Sequence, residues 1–327
     1  MKYLFELLIN TCSSRIALPA TGAMRNKIQT HPLVSMLLAG IFFHSSAFAQ
    51  EPDLLSRLND SMMASAATTY ETGTFKGTRI INTQSVEMPA KKELLFSIMH
   101  RFGKINDGGY EFFGLDNATM RMGFEYGLSD YLTVGIGRST FQKTYDGFLK
   151  GRLLRQTAPG SQIHIPVSVT AFAGITHNTI KYTDKPYMNA RYRTDYTLQL
   201  LVARKINRNL SLQLSPTWLH YNLVPEARDN NDVFVLGVGG RMKITRRSSI
   251  NIDYCYLPPG QVSSMKVYHS LSAGFDIETG GHVFQVHVTN SQGMTEPLFM
   301  GRTTGSWGKG DIYFGFNIYR SFKFGKK

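Results

Sequence analysis

The chain has 327 residues, of which 42% are apolar, 12% aromatic and only 18% charged, with a formal charge of +13. That apolar share is enough to bury a core, which excludes intrinsic disorder. With only Cys12 and Cys255, a disulfide framework and a cysteine-rich zinc site are also excluded, and the scattered Lys and Arg residues form no basic run of the kind that reads as nucleic-acid binding.

In chain order, the first element is an export signal. Arg25 and Lys27 lead into an apolar run from Leu33 to Phe43, too short to span a bilayer, and Ala47-Phe48-Ala49 forms an A-x-A cleavage site before Gln50. Residues 1–49 are therefore read as a cleaved signal region, with Met24 as an alternative start. Residues 50–90 are read as a periplasmic N-terminal segment. Leu54, Leu55 and Leu58 share one side of a short stretch there, and residues 75–89 alternate weakly. That second piece could be a periplasmic strand, a lumen plug or a simple tether, the tether being preferred.

From residue 91 to 327 the apolar residues recur at every second position rather than at helical spacing. In 119–126, Met120, Met122, Phe124 and Tyr126 take one face, and Thr119, Arg121, Gly123 and Glu125 the other. Twelve such segments are read, near 93–102, 115–127, 131–140, 144–155, 165–176, 193–205, 209–221, 232–244, 248–257, 267–278, 281–291 and 309–321. A soluble sandwich would alternate too, but these segments are longer than the usual ~5–6 residues and match the ~9–11 of a tilted membrane strand. Connections alternate as well. Long ones stand at 103–114, 177–192, 222–231, 258–266 and 292–308, and tight ones at 128–130, 206–208, 245–247 and 279–280. The links at 141–143 and 156–164 break that alternation. Tyr126, Tyr131, Tyr254, Tyr256, Tyr319 and Phe322, near strand ends, suit interfacial aromatic girdles. The expectation is an all-β, single antiparallel transmembrane β-barrel of about twelve strands in an up-and-down meander, placed in the outer membrane with both termini on the periplasmic side.

The strings FKGTRIINTQSVEMP (75–89), HRFGKINDGGYEFFGLD (100–116), YDGFLKGRLLRQ (145–156), VLGVGGRMKIT (235–245), FDIETGGHVFQVHVTNS (275–291) and GKGDIYFGFNI (308–318) occur in this order. Together they resemble the DUF5777 family of exported β-barrel proteins from Bacteroidetes-type bacteria. The resemblance spans roughly residues 70–322 and implies a barrel with an outer-membrane address. It implies no substrate and no catalytic residue.

If the apolar faces meet lipid, the opposite parity lines the lumen. That set contains Arg101, Arg121, Glu125, Lys150, Arg152, Arg241, Asp253, Asp276, Gln285 and His287. Its five cations outnumber its three carboxylates, so a water-filled lumen would prefer small anionic solutes, whereas a closed structural lumen would hold the same charges in pairs. Membrane lipid is the expected partner in either case. The alternatives are a soluble periplasmic β-barrel or sandwich that binds a ligand and, behind it, an outer-membrane lipid-modifying enzyme. His100, His220 and His282 share the lipid-facing parity, but no G-x-S-x-G serine motif accompanies them. His282 and His287 face opposite sides of one strand and cannot chelate one metal. The glycine clusters lack a strand–loop–helix phosphate cradle. No enzyme, metal or cofactor is therefore expected.

Overall fold

The computed structural model describes residues 68–324; the export signal, Cys12 and the leucines at 54, 55 and 58 lie outside them. Twelve strands are present: β1 Glu93–Lys104, β2 Ala118–Gly127, β3 Leu132–Ser139, β4 Thr144–Leu154, β5 Ser168–Asn178, β6 Thr194–Lys205, β7 Leu210–Tyr221, β8 Asp232–Lys243, β9 Ser248–Tyr256, β10 Ser270–Thr279, β11 His282–Thr289 and β12 Tyr313–Lys323. Each pairs antiparallel with its sequence neighbours, and β12 closes onto β1. Closure leaves no edge, so every strand finds hydrogen-bond partners on both sides, as hydrocarbon demands. At the closing seam, Gly315 faces Arg101. A side chain there would come within 2.5 Å of the His100 carbonyl and 2.6 Å of His287 Nε2, so the register requires glycine.

The faces are inverted relative to a water-soluble protein. Along β7, Ser211, Gln213, Ser215 and Thr217 are buried, and Leu212 and Leu214 face outward. Among the largest fully buried side chains are Arg101, Arg121 and Lys150, and the exposed ones include Ile136, Leu198, Phe234 and Ile252. An apolar exterior around a charged interior is stable only where the exterior meets lipid. Tyr126, Tyr131, Tyr254, Tyr256 and Phe322 stand outward near strand ends; Tyr319, expected with them, is 3% exposed and faces the lumen.

Four tight turns lie at the end that carries both the start of β1 and the end of β12. Two are closed by side chains that imitate backbone. Asn207 Oδ1 accepts from the Asn209 and Leu210 amides, and Thr245 Oγ1 from the Arg247 and Ser248 amides. A third uses Gly280 and Gly281, both at positive φ. The link between β4 and β5 is long for this end because it clasps another segment. Tyr70 bridges Thr157, and the Glu71 amide donates to the Gln156 carbonyl.

The interior is filled. Residues 74–87 form a hairpin inside the barrel, with the Ser85 amide donating to Thr78, the Ile80 amide donating to Thr83, and Arg79 bridging Gln84. This part of the 50–90 segment is thus neither the preferred tether nor a periplasmic strand but a lumen plug. From the other end, the connection between β11 and β12 folds inward as a short helix, α1 Glu296–Gly301, buried along its whole length. Each insert has an apolar landing patch on an otherwise polar wall. Phe75, Ile80 and Val86 of the plug cluster with Leu201 and Ala203 of β6. Phe299 and Met300 of α1 cluster with Leu219, Tyr221, Val233, Val235 and Cys255 of β7–β9.

Candidate functional site: the closed lumen

The plug is held by the wall charges that alternation turns inward. Lys150 Nζ donates to the carbonyls of Thr78, Ser85 and Glu87 at 3.1, 3.1 and 3.2 Å, so all three of its donors end on the hairpin. Asp253 Oδ2 accepts from the backbone amides of Asn82 and Thr83 at 2.7 and 3.0 Å, which satisfies the tip of the plug. Arg101 reaches Asn82 Oδ1, Gln285 donates to the Ile80 carbonyl at 2.6 Å, and Asn317 donates to the Ile81 carbonyl at 3.2 Å. Lower on the hairpin, Gln213 both accepts from the Val86 amide and donates to the Gln84 carbonyl. Glu125 accepts from Thr78 Oγ1, and Arg241 donates to the Gly73 carbonyl.

The two inserts meet. Arg79 Nη1 lies 2.9 Å from Glu296 Oε1, and Gln84 Nε2 donates to the same oxygen at 2.9 Å. Both partners of the ion pair are at most 5% exposed. At this depth an unpaired charge is far costlier than a paired one, so the contact latches plug to helix. Above it, α1 packs under a loop vestibule of ≈490 Å³ that Leu298 and Arg302 help to line. At the rim, Asp311 ties two loops by accepting from Asn106, Lys104 and the Ser306 amide. Those bonds, Asn106 first, pull its carboxyl down to about 2.

The ten residues expected in the lumen fall into three groups. Arg101, Glu125, Lys150, Arg241, Asp253 and Gln285 touch the plug directly. Arg121 makes a two-pronged pair with Asp146, at 2.9 and 2.5 Å, and Asp276 is held by Gln285 and Ser249. Arg152 sits half-buried at the short-turn rim and donates to the Asp130 carbonyl, while His287 is buried beside Gly315 with neither ring nitrogen bonded to protein. Asp146 has the parity of Lys150 and was legible in the same segment. Counting it, the buried charges of the wall are Arg101, Arg121, Lys150 and Arg241 against Glu125, Asp146, Asp253 and Asp276, and the cation excess inferred from the sequence disappears. Arg79, Asn82 and Glu296 belong to irregular segments, where alternation gives no signal. Several polar atoms along the plug–wall seam, including Arg79 Nη2, Arg101 Nε, Asp253 Oδ1 and Glu125 Oε2, have no protein partner. Buried atoms of this kind are ordinarily met by water.

A family model described as a membrane bound beta barrel domain (DUF5777) matches residues 75–322. The chain belongs to that family. The DUF5777 match begins at Phe75, the first apolar residue of the plug, so the hairpin is part of the domain rather than an appendage to it. No curated protein matches the chain. Among solved structures the DUF5777 barrel is similar to a NanC porin (9% identity, 71% of this chain and 100% of that one, TM-score 0.45) and a KdgM porin (7%, 71% and 99%, 0.41). It is also similar to an outer membrane channel from Pseudomonas putida F1 (12%, 72% and 97%, 0.43).

Proposed function

We propose that this membrane barrel sits in the outer membrane, exported by the signal ending at Ala49, and is closed at rest by its own N-terminal hairpin. The observation that carries this reading is the filled lumen, in which Lys150 spends every donor on the hairpin and Arg79 pairs with Glu296. Twelve strands enclose more space than the ~8 whose side chains alone fill a barrel, and the plug and α1 occupy that surplus. Solutes do not pass this state. The plug is nevertheless removable in principle, because its contacts to the wall are mostly hydrogen bonds that water can replace and both of its legs leave at the same end. An emptied lumen would have a polar, charge-balanced wall with little preference between anions and cations. On this reading the protein is not an enzyme.

Planar-bilayer recording tests the proposal. Wild-type barrel should be electrically silent, and a variant lacking residues 74–87 should give stepwise currents of weak ion selectivity. Steady conductance by the wild type, or silence from the deletion variant in its folded form, would overturn it.

A further inference from the structure

The outer surface of β2–β5 is built in two tiers. In the lower tier Phe124, Ile136, Gly147 and Ile175 pair across successive strands, and in the tier next to the long loops Met122, Arg138, Tyr145 and His177 do the same. Gly147 leaves out a side chain between Ile136 and Ile175, which opens an apolar groove of ≈490 Å³ with Arg138 at its top. The outward positions of these four strands carry one formal charge, Arg138, one residue before the end of β3. Its Nε donates to Tyr145 Oη at 3.1 Å, its guanidinium lies 5.4 Å from that ring's centroid, and neither terminal nitrogen has a protein partner among the described residues. The guanidinium is therefore pre-aimed with both terminal NH2 groups free, the fork that suits a phosphate. Beyond Tyr145, the His177 ring lies 2.9 Å from Thr194 Oγ1, whose own hydrogen goes to the Ala190 carbonyl at 2.8 Å. His177 Nδ1 is thus engaged, and Nε2, with no protein partner among the described residues, is left to meet a sugar hydroxyl.

We propose that this face is a binding site for a phosphorylated glycolipid of the leaflet on the long-loop side, with an acyl chain in the groove over Gly147, phosphate on Arg138 and sugar against His177. Charge complementarity selects an anionic headgroup. The two tiers, apolar toward the membrane interior and polar toward its surface, match the order of parts in such a lipid. The leaflet assignment rests on the outer-membrane address proposed above, with both termini on the periplasmic side; binding by purified protein does not, so the two can fail separately.

The test is native mass spectrometry of the folded barrel in detergent, titrated with lipid A that bears its phosphates and with lipid A stripped of them. Wild type should retain the phosphorylated form preferentially. Arg138→Gln should weaken retention roughly tenfold, the effect expected for loss of a charge-assisted contact. Gly147→Leu, whose new Cβ would meet Ile175 at an ordinary 3.6 Å, should reduce retention by filling the groove. Arg320→Gln, an outward cation at the opposite end of the barrel, should leave retention unchanged. Equal retention of both lipids, or no loss in Arg138→Gln, would overturn the proposal. If Gly147→Leu does not show the heat-modifiable migration of a folded barrel, Arg138→Gln decides alone.

Discussion

Glu296 is the clearest single point of leverage on the closed state. Replacing it with alanine leaves Arg79 buried without a carboxylate partner, and breaking a buried pair in this way costs about 3–5 kcal/mol. Because Arg79 can escape that cost by taking the plug out with it, the loss should appear as plug release rather than barrel collapse. Glu296→Ala should admit current in a bilayer while keeping the heat-modifiable migration of a folded barrel, and a silent variant would show that the pair does not latch the plug. At this scale the sequence was informative wherever a residue sat on a strand. Alternation alone puts Arg101, Lys150 and Asp253 on the inner wall, and the same rule applied to 144–155 turns Asp146 inward as well. It could not pair Arg79 with Glu296, since two irregular segments bring those residues together across most of the chain.

Among the elements, all twelve predicted segments are strands, and their ends differ where local hydrogen bonding competes with the ladder. β2 begins at Ala118 rather than at 115 because Phe112–Gly114 form a 3-10 turn, and β12 begins at Tyr313 because Trp307–Lys309 form another. The link before β5 is longer than a hairpin connection at this end needs. It makes sense as the clasp on Tyr70 and Glu71. The outward face of a strand carries its own prediction. Leu198, in the middle of β6 and 51% exposed, is flanked by Ala173 and Trp218. An arginine there would face hydrocarbon at a cost of about 2–4 kcal/mol. Leu198→Arg should therefore refold into lipid vesicles in markedly lower yield than Leu198→Met, and equal yields would show that this face of β6 does not meet lipid.

The described residues form a barrel whose filling is encoded separately from its wall, and that division sets what could be read in advance. The wall repeats, and repetition makes it legible; the plug has one irregular copy of its pattern and becomes recognisable only when its socket is built. The plugged state predicts accessibility. Ser85 is fully buried against the wall, so a Ser85→Cys variant should resist a water-soluble maleimide in the folded barrel and react once the barrel is unfolded. Rapid labelling of the folded form would place the hairpin outside.

The hairpin is also synthesised before any part of its socket. Its grips come from β2, β4, β7, β9, β11 and β12 together, so a half-zipped sheet offers only a fraction of them, and a sheet not yet joined at the β1–β12 seam lacks the curvature to bring them to one point. Because both legs lie on the terminus side, the hairpin can wait there and swing in without threading, after the last strand has joined the first. Seating of the plug would then act as a proofreading step for assembly: a barrel closed in the wrong register would present no matching socket, and its hairpin would stay in solvent where a protease can find it.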